Sequence, residues 1–341
     1  MRYVHSSLTR ISNLADERFD VRRTDRSGWR TGDYVVGEVY GVPSSLYRIE
    51  LANGRHMPVM EGDCVVGAFG RRSATLEANG DWEHIDEDGR MDALTGGGLF
   101  GRCTSRSAMM PSLLKMKYMG HVWLDGRPAR MKDYVERVDA TPFTTPSILL
   151  IGSSMSSGKT TAARTLIRLL KTMGATVLGA KLTGAGRFRD VLSMHDAGAD
   201  HIFDFVDVGL PSTICDEASY RSSLRGLLHR MGAVDADVAV IESGASPMEP
   251  YNGAAAVHEI KPHIRLMVLC TSDPYAVIGV RDAFGHAPDL VTGPATNTEA
   301  GISLVEHLSG IQALNVLDRS SHPEFERILR TKLDWSNGEG S

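Results

Sequence analysis

The run Gly152-Ser153-Ser154-Met155-Ser156-Ser157-Gly158-Lys159-Thr160-Thr161 sets a lysine and two glycines among small hydroxyl side chains. That mixture suits a polyphosphate anion. An apolar stretch at 147–151 leads into the run, and the segment 160–173 that follows places Ala163, Leu166, Ile167, Leu170 and Met173 on one helical face before Gly174. A strand, a small-residue loop and a helix in that order let backbone N–H groups surround the phosphates while the helix aims its positive end at them. Gly158 permits close approach of the backbone. Lys159 is expected to be a solvent-facing charge in the empty loop that reaches the β- and γ-phosphates, and the Thr160 hydroxyl to ligate magnesium. The strict pattern GxxxxGK[ST] is missed at its first glycine, because Ser153 stands there and Gly152 comes one position earlier.

A carboxylate to share that magnesium should end a neighbouring strand, and the apolar segment 237–241 runs into Glu242. Further on, Thr292-Gly293-Pro294-Ala295-Thr296-Asn297 forms a loop in which Asn297 could cap the helix that follows. A capping-box pattern, Thr296-x-x-Glu299, opens that helix on this reading. The pairs His195-Asp196 and Asp200-His201 match no known metal-site spacing, and Asp204 and Asp207 read as turn acids or as additions to the magnesium shell. Arg71-Arg72 and the loop from Gly96-Gly97-Gly98 to Thr104-Ser105-Arg106-Ser107 could offer guanidinium and backbone donors to an anionic substrate, or be surface arginines and a flexible turn.

The loop, the Glu242 strand and the segment Gly179-Ala180-Lys181-Leu182-Thr183-Gly184 together resemble the dethiobiotin synthetase-like group of P-loop proteins over residues 147–320. In that group the second strand reads Lys-Pro-Val-x-Thr-Gly, so Leu182 stands for the proline; Ser154 stands for the usual Asp, and Glu-Ser-Gly for Glu-Gly-Ala. The resemblance implies that Lys181 lies near the transferred phosphoryl group, a second cation where negative charge accumulates. It also places the base reader in the 292–297 loop, with Pro294 and Asn297 beside the nucleotide and Asn297 able to pair with adenine. The extra early lysine of partition and septum-site ATPases has no place at Ser153 or Ser154. The metal-chaperone GTPases with a similar loop carry an Asn-Lys-x-Asp guanine reader, of which Cys270-Thr271-Ser272-Asp273 keeps only the aspartate.

These residues need a sheet to hold them. From about 146, apolar segments at 147–151, 176–180, 237–241, 264–270, 290–292 and 314–317 alternate with helix-length segments, the signature of an α/β fold with a mostly parallel sheet flanked by helices. Residues 30–130 read instead as a smaller β-rich domain, through YVVGEVYGV, SLYRIEL and DCVVGAF. Gly32-Asp33-Tyr34-Val35-Val36-Gly37 recurs at an offset of 30 as Gly62-Asp63-Cys64-Val65-Val66-Gly67, which suggests two similar turn-and-strand units in a small barrel. The expected division is a β-rich domain at 1–140, a P-loop domain at 146–332 and a flexible tail at 333–341.

Composition narrows the partners. Residues 1–140 hold 20 basic and 20 acidic side chains and 141–341 hold 17 and 22, so no basic face is set aside for nucleic acid. No apolar run approaches the ~20 residues of a membrane span, the first residues lack a secretory core, and a cytoplasmic location is expected. The four cysteines, Cys64, Cys103, Cys215 and Cys270, lie too far apart for a zinc knuckle and read as buried thiols. The expected activity is ATP- and Mg2+-dependent phosphorylation or activation of a small carboxylate-bearing substrate, of kinase or ligase type, catalysed by Lys159, Lys181 and Glu242 with magnesium on Thr160 and Glu242. The alternative is a nucleotide-driven switch acting on a protein or cargo. Self-association is left open.

Overall fold

The computed structural model describes residues 2–41 and 48–335. They fall into two units, one formed by Met1–Val138, Gly184–Arg189 and Asp204–Leu227, the other by Asp139–Thr183, Asp190–Phe203 and Leu228–Ser341. Of SLYRIEL only 48–51 lies among the described residues, and of the expected tail only 333–335.

The first unit contains β1 (Tyr3–His5), β2 (Tyr34–Val39), β3 (Arg48–Glu50), β4 (His56–Pro58), β5 (Cys64–Phe69), β6 (Arg90–Ala93), β7 (Leu99–Arg106) and β8 (Leu114–Leu124). Strands β5, β2, β8, β6 and β7 pair in that order, and β7 returns to β5, so the five close a ring. Val35, Val65, Phe69, Met91, Phe100 and Met116 form its buried core. The Gly-Asp echo opens two neighbouring strands of this ring, β2 and β5. Gly32 and Gly62 take φ of +84° and +86°, a backbone state that glycine reaches without steric cost. Asp33 and Asp63 then accept from the backbone N–H three residues earlier, at 2.7 and 2.8 Å. The two copies exchange bonds: Gly32 N donates to Phe69 O at 2.8 Å, and Gly62 N to Val39 O at 2.9 Å. An offset of 30 in sequence is therefore a local two-fold in space.

The segments 184–189 and 204–227 belong to this unit although no compositional change marks them, and long-range polar bonds explain why. The buried Glu50 carboxylate accepts from Ser7 Oγ at 2.7 Å and from the backbone N–H groups of Phe188 and Arg189 at 2.9 and 2.5 Å. Arg10 binds Asp204 at 2.5 Å and Asp207 at 2.8 Å.

The second unit follows with β9 (Ser147–Gly152), α1 (Lys159–Thr172), β10 (Val177–Thr183), α2 (Phe188–Asp196), β11 (His201–Asp204), α3 (Glu217–Gly232), β12 (Val238–Ser243), α4 (Gly253–Ile260), β13 (Ile264–Cys270), α5 (Ala276–Phe284), β14 (Leu290–Thr292), α6 (Glu299–Ser309) and α7 (His322–Lys332); α2, β11 and α3 cross the unit boundaries. Its parallel sheet runs β11-β10-β12-β9-β13-β14, so the strand that feeds the loop lies inside the sheet, between β12 and β13. Helices flank this sheet, and β9, β10, β12 and β13 are apolar runs because both faces are covered.

Two expectations differ. Residues 314–317 form no strand: Ala313 makes an isolated bridge to Val291, and Val316 N is taken by the Thr292 hydroxyl at 3.3 Å. Helix α6 is capped by Thr298, whose hydroxyl accepts from Gly301 N at 3.1 Å, and not by Thr296, which donates to Gly293 O and Leu314 O at 3.0 Å. Among the described residues, no helix is long and apolar enough to cross a membrane.

Candidate functional site

Register sets the charged groups side by side. Leu150 of β9 and Lys181 of β10 both pair with Glu242 of β12, so Lys181 and Glu242 reach the carboxyl end of the sheet on adjacent strands. Open α/β sheets bind their ligands at this end. Helix α1 starts from the same edge, and its Thr160 hydroxyl donates to Glu242 Oε2 at 3.0 Å.

The loop is wound tightly around its lysine. Lys159 Nζ donates to Ser154 O at 2.7 Å and to Ser157 Oγ at 3.3 Å. Lys159 is only 5% exposed, so it does not face solvent as expected. The reason is the length of its stem, which folds the ammonium back over Gly152. Burial holds its pKa below the usual lysine value, and the nearby Glu242 carboxylate offsets part of that. A Cβ on Gly152 would stand 2.5 Å from this ammonium and 2.4 Å from Ser157 Oγ, which is why the glycine sits here, at the last position of β9. The departure at Ser153 is thereby explained: Ser153 contributes its backbone N–H, bound to Cys270 O at 3.1 Å.

Of the other loop residues, Ser154 turns its hydroxyl to Met155 O at 2.9 Å, Ser156 is exposed with φ of +63°, and Gly158 has φ of +97°. Met155 is half-buried, and Thr161 is exposed on the first turn of α1. The 292–297 loop packs against this one. A Cβ on Gly293, itself at φ +103°, would lie 2.8 Å from Ser157 O, and one on Gly158 would lie 3.4 Å from Pro294 Cδ. Pro294 and Asn297 are exposed there, and with Thr298 as the cap Asn297 is not used to close α6.

Lys181 is 7% exposed, ion-paired with Asp190 of α2 and 3.9 Å from Glu242 Oε1. The sequence gives no hint of Asp190, which lies in no motif and reaches Lys181 only through the turn into α2. Glu249 was likewise missed; its carboxylate accepts from Ser246 N at 2.6 Å and is close enough to favour the charged form of Lys159. Cys270 lies behind the loop, and burial pushes its thiol up to about 12, so it is no nucleophile at neutral pH.

Thr160 and Glu242 supply two oxygen donors at one point, which fits a hard cation that takes its remaining ligands from water and phosphate. Elsewhere the acidic and histidine pairs have structural uses. Asp200 binds Lys171 at 2.7 Å and Val177 N at 2.7 Å, and His195 Nδ1 lies 3.1 Å from Ala199 O. Asp204 and Asp207 are held by Arg10, with burial pushing the Asp204 carboxyl up to about 6. Among the described residues, no group of three or more His, Cys, Asp or Glu side chains could hold a metal.

No protein-family model matches the sequence, and no curated protein sequence matches it. Solved structures with a similar fold include the hydrogenase maturation factor HypB from Archaeoglobus fulgidus, at 14% identity and a TM-score of 0.38 over 56% of this chain and 91% of that one. HypB from Helicobacter pylori, in complex with nickel, gives 15% and 0.38 over 58% and 92%. The signal recognition particle 54 kDa protein from Aeropyrum pernix, in complex with GDP, gives 19% and 0.34 over 59% and 49%. At such identities and scores these likenesses say nothing about substrate.

Proposed function

We propose that the chain binds a magnesium-bound nucleoside triphosphate at 152–161 and transfers its γ-phosphoryl group to a small carboxylate-bearing acceptor, as an acyl-phosphate kinase or ligase. The observation that supports this reading most is the convergence of Lys159, Lys181 and the Thr160–Glu242 pair at one end of the sheet. Lys159 would leave the Ser154 carbonyl for phosphate oxygens. Thr160 and Glu242 would hold magnesium, which when bound neutralises phosphate charge. Lys181 stands where charge grows as the bond from the γ-phosphorus to the leaving diphosphate breaks and a carboxylate oxygen bonds to phosphorus. That transfer moves no proton from the acceptor, so it requires no general base. Asn297 would meet the base, with adenine as the favoured partner.

A specific observation favours a second reading, a nucleotide-driven switch. Lys181 is held by Asp190 on α2, so drawing its ammonium toward a phosphate would release that helix. A thermal-shift series with ATP and GTP, followed by carboxylate metabolites, separates the two. The kinase or ligase reading predicts a larger shift with ATP and a metabolite shift that requires ATP. A larger shift with GTP, no metabolite effect and nucleotide-dependent hydrogen exchange in α2 would favour the switch.

A further inference from the structure

The first unit contains a cleft of about 310 Å³ whose lining includes Arg48, Arg72, Arg187 and Arg189. That volume lies at the small end of the range of ligand pockets, about 300–1,000 Å³. The arginines come from distant places in the chain. Arg48 opens β3, Arg72 follows β5, and Arg187 and Arg189 arrive on the 184–189 segment fixed by Glu50. Arg72 is committed to the fold, since it donates to Leu94 O at 2.7 Å and pairs with Glu77. The Glu50 carboxylate, which also lines the cleft, accepts from three donors, Ser7 Oγ and the backbone N–H groups of Phe188 and Arg189. No ion pair to Arg48 or Arg187 is found among the described residues. These two guanidiniums bring positive charge to one cleft, in a chain whose net charge is −5. Gly96 and Gly97 bring backbone to the cleft, and Met110, Pro111 and Leu113 give it an apolar side. Arg72, Gly96 and Gly97 belong to the anion-binding set suggested by the sequence, whereas Arg71 pairs with Glu83 instead.

We propose that this cleft binds a small organic anion whose phosphate or carboxylate group is held by Arg48 and Arg187 and whose apolar body lies along Met110, Pro111 and Leu113. Guanidinium forks match both kinds of group in two-point geometry, and Arg48 and Arg187 in a cleft with one apolar side favour an amphiphilic anion over a simple ion. The assignment stands independently of the nucleotide loop.

The test is calorimetry on the full chain with butyl phosphate, glutarate and, as a control, butylammonium. It compares the parent protein, Lys159→Ala and the double variant Arg48→Ala/Arg187→Ala. At least one anion should bind the parent and Lys159→Ala alike, the cation should not bind, and the double variant should bind about tenfold to a hundredfold more weakly. Which anion binds distinguishes a phosphate from a carboxylate ligand. Should the double variant not fold, protection of Arg48 and Arg187 from phenylglyoxal by the bound anion in the parent protein is the readout. Binding of neither anion, a loss in Lys159→Ala as large as in the arginine variant, or an absence of protection overturns the proposal.

Discussion

In the first unit Asp33 lies fully buried and accepts from Arg30 N at 2.7 Å, Arg130 Nε at 2.9 Å and His121 Nε2 at 3.2 Å, while Arg10 is clamped between Asp204 and Asp207. At the sheet edge of the second unit, Lys159 is also buried but rests on a carbonyl and a hydroxyl, with no carboxylate in direct contact among the described residues. Both arrangements rest on hydrogen bonds. Only the first neutralises charge by contact. A buried cation held by neutral oxygens keeps most of its desolvation penalty and can exchange those oxygens for a phosphate. Charge in Asp33 and Arg10 therefore belongs to the fold, and on the proposed function charge in Lys159 is held ready for a ligand.

The strongest challenge to that contrast is Arg10→Ala. It leaves two carboxylates facing each other, one of them fully buried, and should cost about 3–5 kcal/mol of stability in urea denaturation. A loss under about 1 kcal/mol, the range of surface pairs, would mean that the clamp is not structural.

Next comes Lys181→Ala. If Lys181 stabilises charge that appears only during transfer, kcat should fall by about 10²–10³ while ATP affinity changes far less. A proportional fall in affinity would place its role in ground-state binding, as a switch requires.

A smaller effect is expected from Gly293→Ala. Its Cβ would meet Ser157 O and the Thr271 backbone under 3 Å, at a φ that disfavours side chains, so stability should drop by about 1–3 kcal/mol and triphosphate binding should weaken with it. Unchanged binding would show that the 292–297 loop does not support the phosphate loop.

The smallest is a pH effect. Burial lowers the Lys159 pKa, so the free protein loses this proton at a lower pH than an ordinary lysine would. On the proposed function a bound triphosphate needs the charged form, and affinity should therefore fall on the alkaline side before the usual lysine range is reached. Calorimetry across that range checks it, and a flat profile would contradict the assigned role.

Legibility in the sequence followed the range of the interactions. The 152–161 loop, its strand and its helix are contiguous, so their residue types carried the motif, and 264–270 and 290–292 match β13 and β14. The Gly-Asp echo was visible because the two turns need the same glycine and the same aspartate. What sequence did not show is set by partners far along the chain. Asp190 on Lys181, Glu50 on the N–H groups of 188 and 189, and Arg10 on Asp204 leave no periodic trace. Lys159 was expected to face solvent, because the spacing that places a lysine in the loop says nothing of where its stem folds.

Lys159→Ala tests the central claim most directly, with ATP titrated by calorimetry in the presence of Mg2+ and stability followed by thermal melting in its absence. The account predicts that ATP binding is lost while the melting temperature stays the same or rises, because the variant removes a buried charge with no carboxylate in contact. ATP binding that survives the substitution, or a collapse of the fold to match that of Arg10→Ala, would contradict it.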